Sequence, residues 1–231
     1  MPKTVVNKQN KAQTCTNGEP CRLNQDFITL KQEVEKLSEL ISTDTLTGLH
    51  NYRYFTEVIS QELERSQRTG QATTLIMLDA DHFKNVNDQW GHETGNKALQ
   101  LIAHCIKDNI RKLDIPCRYG GEEFAVILPS TDIATSITVA ERIRQAVEAS
   151  TIKTENHNIK LTVSLGVSSY IGNRTVENNN SDNWHKLVER ADKELYRAKE
   201  QGRNQTCHSP HEKTEQQVNE DEKSALFDIF K

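Results

Sequence analysis

The spacing of apolar residues changes several times along this chain, and each change marks an element. Phe55, Ile59 and Leu63 recur at one-turn intervals and predict a helix from Tyr52 to about Arg68. Asn51 stands ahead of it as a candidate cap, and Thr69-Gly70 as a stop. Leu75-Ile76-Met77-Leu78 is an unbroken apolar run, which predicts a strand over 73–79 buried on both faces. Phe83 to Trp90 reads as a short helix that Gly91 breaks. Glu93 to Ile110 reads as a longer helix with Leu99, Ile102, Ala103 and Ile106 on its buried side. Phe124 to Leu128 is a second apolar run. Cys117-Arg118-Tyr119 leads into it through Gly120-Gly121, a pair suited to a hairpin turn because glycine adopts positive φ without a Cβ clash. A helix from about Asp132 to Ala149, strands near 158–163 and 166–170, and a helix from Asn183 to Glu200 follow. Helices alternate with strands around two hairpin-like pairs. The expected fold is α/β (α+β), with helices packed over one antiparallel-rich sheet.

The ends of the chain lack this patterning. Residues 1–25 are polar and read as an unstructured start. Phe27, Leu30, Val34, Leu37 and Ile41 follow at spacings of 3, 4, 3 and 4, a heptad seam over helix 26–42. Two heptads fit a helix lying on its own domain as well as a coiled coil. Thr43-Asp44 offers a turn and a cap before the main domain, 43–206. The tail, 207–231, is charged and loses periodicity until Ala225-Leu226-Phe227-Asp228-Ile229-Phe230. Mean hydropathy is -0.72 and 35% of the 231 residues are hydrophobic, a low average that the polar ends explain. The net charge of -4 offers no basic field for nucleic acid. No apolar run reaches the ~20 residues of a membrane span, and the first residues lack a signal-peptide core, so a cytoplasmic protein is expected. Five scattered cysteines argue against a disulfide framework, and Cys15 and Cys21, without nearby histidines, make a weak metal pattern.

The chemistry sits at the ends of the two buried strands. Glu122 and Glu123 fall where the hairpin tip becomes strand, and two adjacent carboxylates there repel each other unless a cation lies between them. The other run ends at Asp79, with Asp81 two residues on, and acids at the end of a core strand are costly unless hydrogen-bonded, hydrated or metal-bound. Side by side, the two strand ends form a carboxylate cage of hard oxygen ligands. Such a cage suits Mg²⁺, which keeps waters and binds substrate phosphates. Two-metal phosphoryl transfer uses this arrangement.

Taken together these motifs resemble the GGDEF family of diguanylate cyclases over residues 40–205. The matching stretches are Asp44-Thr45-Leu46-Thr47-Gly48-Leu49 with Asn51 and Arg53; Asp79 to Lys84, D-A-D-H-F-K; Asn87-Asp88, Gly91-His92 and Gly95; Arg118 to Phe124, R-Y-G-G-E-E-F; Ser164-Leu165-Gly166-Val167; and Ala198-Lys199 with Gly202-Arg203-Asn204. The resemblance implies a palm-like, ferredoxin-related core similar to nucleotidyl cyclases and polymerases. It implies that Asp79, the backbone carbonyl of Ala80 and Glu122 hold Mg²⁺ (or Mn²⁺). Glu122 or Glu123 would help remove the proton from a ribose 3′-hydroxyl, whose oxygen attacks the α-phosphate of a second GTP and expels pyrophosphate. Lys199 and Arg203, read as one turn apart at the end of the last helix, would contact the β- and γ-phosphates. Lys84 and Phe83 would line the same pocket, Asn87 would bond guanine and His92 would lie nearby. One site holds one GTP, so a homodimer is implied, with helix 26–42 as its stalk and cyclic di-GMP as product.

Two further positions bear on specificity and control. The family carries Asp after Gly95, where this chain has Asn96. A carboxylate accepts from both N1-H and N2-H₂ of guanine, whereas an amide sets one donor against another, at about 1–3 kcal/mol if buried. Three outcomes follow: weaker GTP use, acceptance of ATP with a mixed cyclic dinucleotide, or a sensor of GTP or cyclic di-GMP without turnover. Arg111-Lys112-Leu113-Asp114 is R-x-x-D, and in the family that offset from R-Y-G-G-E-E-F marks an inhibitory product site. Arg111 would pair with phosphate and stack on guanine and Asp114 would accept from the base edge, with Arg142 as a second arm.

Overall fold

The computed structural model describes residues 27–33, 42–154, 157–172 and 183–209. The expectations for residues 1–25 with Cys15 and Cys21, for the heptad positions Val34, Leu37 and Ile41, and for the end of the tail fall outside the described residues. The chain forms two compact units, Met1–Thr43 and Asp44–Lys231. In the first, residues 27–33 are helical and expose Phe27, Ile28 and Leu30.

The second unit runs α1 (Tyr52–Thr69), β1 (Ala72–Ala80), α2 (Phe83–Asp108), β2 (Ile115–Arg118), β3 (Glu123–Leu128), α3 (Ile133–Ala149), β4 (Ile152–Lys153), β5 (Asn158–Ile159), β6 (Val163–Ile171), α4 (Asn183–Glu200) and β7 (Thr206–His208). Five strands make the main sheet in the order β2-β3-β1-β6-β7, antiparallel throughout except for the parallel β6–β7 pair. Strand β1 lies at its centre, and alternate residues feed two cores. Ile76, Leu78 and Ala80 face α2 and α3 with Leu99, Ile102, Val139 and Ile143. Leu75 and Met77 face α1 and α4 with Phe55, Ile59, Leu187 and Leu195. Helices therefore cover both faces, which is why β1 is apolar without alternation. The result is the mixed α/β sheet with flanking helices that the patterning predicts. No helix among the described residues is long and apolar enough to cross a membrane.

Local signals formed the expected ends. The Asn51 side chain accepts from the Tyr54 amide at 3.1 Å and caps α1, which Gly70 ends in the left-handed region at φ 73°. Asp132 caps α3 by accepting from the Thr135 amide at 2.7 Å. Gly91, at φ 80° and ψ 161°, kinks α2 where the sequence predicts a break. Cys105, Cys117 and Cys207 are buried free thiols.

Other expectations need correction. The strands expected near 158–163 and 166–170 are instead a two-residue β5, paired with β4, and one nine-residue β6 running through Gly166. A Cβ at Gly166 would lie 2.1 Å from the Ala191 carbonyl oxygen and 2.3 Å from the Leu195 nitrogen, so this glycine admits the α4 backbone within one continuous strand. Neither Gly120 nor Gly121 is among the positive-φ residues. A Cβ at Gly120 would sit 2.6 Å from Oε2 of Glu123, so a side chain there would displace that carboxylate. Arg203 is not on the last helix: α4 ends at Glu200 and Arg203 sits at φ 63° in the turn beyond. Asp44 caps no helix. Its Oδ1 accepts from the Thr47 amide and hydroxyl at 2.9 and 2.6 Å. The sheet also extends past 206, since β7 pairs with β6 through His208 and the Ser209 amide donates to the Val167 carbonyl at 3.2 Å.

Candidate active site

The acids converge because β1 and β3 are neighbours. In their register Asp79 pairs with Glu123, and the Ala80 amide donates to the Glu122 carbonyl at 3.3 Å. The tip that carries the glutamates is tied down twice. The amides of Tyr119 and Gly120 donate to the Glu123 carbonyl at 2.9 and 3.1 Å. The Arg118 guanidinium donates to the Gly121 carbonyl at 2.7 and 3.2 Å and to both Asp44 oxygens at 3.1 and 3.2 Å. Burial alone would raise the Asp44 carboxyl, but the Thr47 and Arg118 donors outweigh it and hold it below its usual range.

Asp79 is 5% exposed, and Lys199 from α4 reaches its Oδ1 at 2.9 Å. Burial pushes the Asp79 carboxyl up, with a contribution from the Asp81 charge. Lys199 and Arg203 oppose this and lose. Glu122 is also raised, first by burial and then by the charge of Asp79. Arg203 has left the helix but remains near enough for its charge to act on Asp79.

A second group of residues meets on α2. A Cβ at Gly95 would lie 2.0 Å from Oδ1 of Asn87 and 3.2 Å from Cζ of Phe83, so both side chains close over that glycine. Asn96 follows it and is exposed. Lys84 and His92 are exposed too, and among the described residues no hydrogen bond or ion pair ties either to this group.

The R-x-x-D stretch lies at the other end of β2 from the hairpin tip. The Arg111 amide donates to Asp114 Oδ2 at 2.7 Å, and the Asp114 amide donates back to the Arg111 carbonyl at 3.0 Å. Arg142 of α3 donates to the Asn109 carbonyl. Burial raises the Asp114 carboxyl, and the charges of Arg111 and Arg142 both pull against it, so the three predicted residues share one neighbourhood.

The family described as "Diguanylate cyclase, GGDEF domain" matches residues 41–205. The chain belongs to the GGDEF family of diguanylate cyclases. The GGDEF domain is similar to the response regulator PleD of Caulobacter vibrioides, 39% identical over 177 residues that cover 76% of this chain and 37% of the relative. It is 40% identical to diguanylate cyclase A of Treponema denticola over 172 residues, 73% of this chain and 44% of that one. The chain thus spans less than half the length of these curated relatives. Among solved structures, the coiled coil and GGDEF domain of DgcB from Caulobacter crescentus, in complex with c-di-GMP, superposes with a TM-score of 0.72 at 29% identity, covering 81% of this chain and 95% of that one. Diguanylate cyclase SiaD of Pseudomonas aeruginosa, in complex with its activator SiaC, gives 0.70 at 34% identity, covering 81% and 70%.

The acids of this GGDEF domain fit a hard divalent cation by their chemistry. Glu122 is raised first by burial and then by the charge of Asp79, so a divalent cation shared by the two carboxylates would relieve both costs. Among the described residues no three His, Cys, Asp or Glu side chains enclose a metal site by themselves. Two carboxylates leave positions for water and phosphate oxygens around such a cation.

Sequence reasoning missed Asp192, and it named Asp81 without its partners. Asp192 of α4 is raised by burial and by the charge of Glu123 and lowered by Lys199, so it faces the same cluster. It precedes Lys199 by two helical turns on the same face, a spacing that could have been read. Asp81, 4% exposed, accepts from the hydroxyls of Thr162 and Ser164 at 2.7 Å each and from the Asn204 amide at 3.0 Å. Its neighbours come from distant parts of the chain, and no local pattern announces them.

Proposed function

We propose that this chain is a diguanylate cyclase that condenses two GTP into cyclic di-GMP and pyrophosphate and is inhibited by its product. The observation that carries this reading is the meeting of Asp79, Glu122 and Glu123 with the cations Lys199 and Arg203 at the adjoining ends of β1 and β3, at the positions of the family's motifs. The ribose 3′-oxygen of one GTP attacks the α-phosphorus of the other. The bond from that phosphorus to its bridging oxygen breaks and pyrophosphate leaves, while the hydroxyl proton passes to Glu122 or Glu123. Asp79, the Ala80 carbonyl and Glu122 would hold a divalent cation, Mg²⁺ or Mn²⁺, which acidifies a hydroxyl and neutralises phosphate charge. Lys199 and Arg203 take the β- and γ-phosphates, with Lys84 and Phe83 beside them. Asn87, Asn96 and His92 attend to guanine.

Ring closure repeats the step with the two nucleotides exchanging roles, so two domains act on each other's substrate. A homodimer follows, and the apolar Phe27 and Leu30, exposed on the helical residues 27–33, support a coiled-coil seam to a second copy.

Incubated with Mg²⁺ and GTP, ATP or both, the purified chain is expected to make cyclic di-GMP from GTP alone, identified by mass. A mixed guanine–adenine product would put base selectivity at Asn96. The absence of any cyclic dinucleotide would sink the proposal.

Control is assigned to Arg111, Asp114 and Arg142. The Asp114 carboxylate already holds the Arg111 amide, so its removal would also loosen the turn, and Arg111 is the cleaner target. Arg111→Ala is expected to raise the product concentration needed for half-inhibition about tenfold or more, the loss of one charge-assisted contact. Unchanged inhibition would refute the assignment.

A further inference from the structure

The turn after α4 is held in a way the reaction alone does not explain. Gly202, Arg203 and Asn204 have φ of 117°, 63° and 44°, three consecutive residues in the left-handed half of φ space, two of them with side chains. Side-chain residues keep such conformations only where their surroundings over-determine them. Here the surroundings converge on Asn204. Its amide donates to Oδ2 of the buried Asp81 at 3.0 Å. Its Oδ1 accepts from Nη1 of Arg144 at 2.8 Å, and its Nδ2 donates to Oε1 of Glu148 at 2.7 Å. Arg144 and Glu148 are themselves paired at 2.9 Å along α3, and Glu141 holds the Arg144 Nε at 2.9 Å. Arg144 is only 14% exposed. On the other side of the turn the Arg203 amide donates to the Ala198 carbonyl at 2.9 Å, one residue before Lys199.

These contacts link three elements through one residue. Asp81 follows the strand end that carries Asp79. Arg144 and Glu148 belong to α3, on the opposite face of the sheet from α4. Arg203 is exposed, and its charge acts on Asp79. We infer that Asn204 is a positioning residue: clamped by Asp81, Arg144 and Glu148, it fixes the left-handed Arg203 and so presents that guanidinium to the substrate's phosphates. The inference rests on the nucleotide reading above. A long flexible arginine binds phosphate best when its backbone is set in advance, because less freedom is lost on binding.

The test is binding of a GTP analogue with a methylene bridge between its α- and β-phosphorus, in the presence of Mg²⁺, by calorimetry below each variant's melting temperature. Asn204→Ala is expected to weaken binding about tenfold, the scale of one lost charge-assisted contact. Arg203→Ala is expected to do the same, and the double variant should bind no more weakly than Arg203→Ala alone, because Asn204 acts through Arg203. Asn204→Gly, which tolerates positive φ but lacks the side-chain contacts to Arg144 and Glu148, should match Asn204→Ala. Asn204→Asp sets a carboxylate against Glu148 and should also weaken binding. Combining it with Glu148→Gln exchanges donor and acceptor across the clamp and should restore affinity, so the test survives a poorly folding alanine variant. Wild-type affinity in Asn204→Ala, equal losses with and without Arg203, or no rescue in the exchanged pair would overturn the inference. Failure of the wild-type chain to bind the analogue would instead overturn the nucleotide reading itself, and this inference with it.

Discussion

Asp79→Asn is expected to cut turnover by about a thousandfold or more and yet leave the metal-free fold at least as stable as the wild type at neutral pH. The first part follows from removing a charge that phosphoryl transfer needs, where single electrostatic contributors carry losses of about 10²–10⁵-fold. The second follows from the direction of the carboxyl shifts. Asp79 and Glu122 are both raised in the fold, so as pH climbs the unfolded chain gives up these protons first. Their contribution to stability is full below the unfolded carboxylate range, about pH 4. It is lost as pH rises through the raised values. At neutral pH each ionised group therefore subtracts from stability, despite the 2.9 Å contact from Lys199 to Asp79. Asparagine keeps the shape and removes the charge. Melting in a chelator at about pH 7 should show Asp79→Asn equal to or above wild type, with the difference closing below about pH 4, where both side chains are neutral. A marked drop in melting temperature at neutral pH would mean that the Lys199 pair, and not desolvation, dominates. Retained turnover would remove Asp79 from the chemistry.

Gly166→Ala is expected to be the most destabilising small change in the sheet, at about 3 kcal/mol or more. A Cβ there meets the Ala191 oxygen at 2.1 Å, the Leu195 nitrogen at 2.3 Å and the Leu195 Cα at 2.9 Å. All three are backbone atoms of α4, which cannot rotate away as a side chain can. The helix must lift from β6. That movement breaks the packing of Leu187, Ala191 and Leu195 on the sheet and carries Lys199 and Asp192 away from Asp79 and Glu123. For a domain of this size the loss corresponds to a fall of about 6–12 °C in melting temperature. Gly121→Ala is the control. Nothing lies within 4 Å of its Cβ position, so a change within about 0.5 kcal/mol is expected. Equal melting of Gly166→Ala and wild type would show that α4 sits farther from β6 than these distances say.

Much of the fold was legible in the sequence because its signals are local. The period of Phe55, Ile59 and Leu63 describes one face of α1, and Asn51 and Asp132 cap helices through amides three residues away. The unbroken run before Asp79 announced a strand covered on both sides, and the two acid-ended runs announced a site. Tertiary structure alone decided the rest. It put α2 and α3 on one face of β1 and α1 and α4 on the other, and it added β7 in parallel beyond the expected end of the domain. It showed that Gly166 is needed for the close approach of the α4 backbone. It moved Arg203 off its helix, brought Asp192 to the acids, and gave Asp81 partners 81 to 123 residues away. Caps and periodicity depend on residues within one or two turns, so they leave a trace in the local sequence. Strand order, backbone approach and the clamp on Asn204 depend on distances between segments far apart in the chain, and only the packed sheet sets those distances.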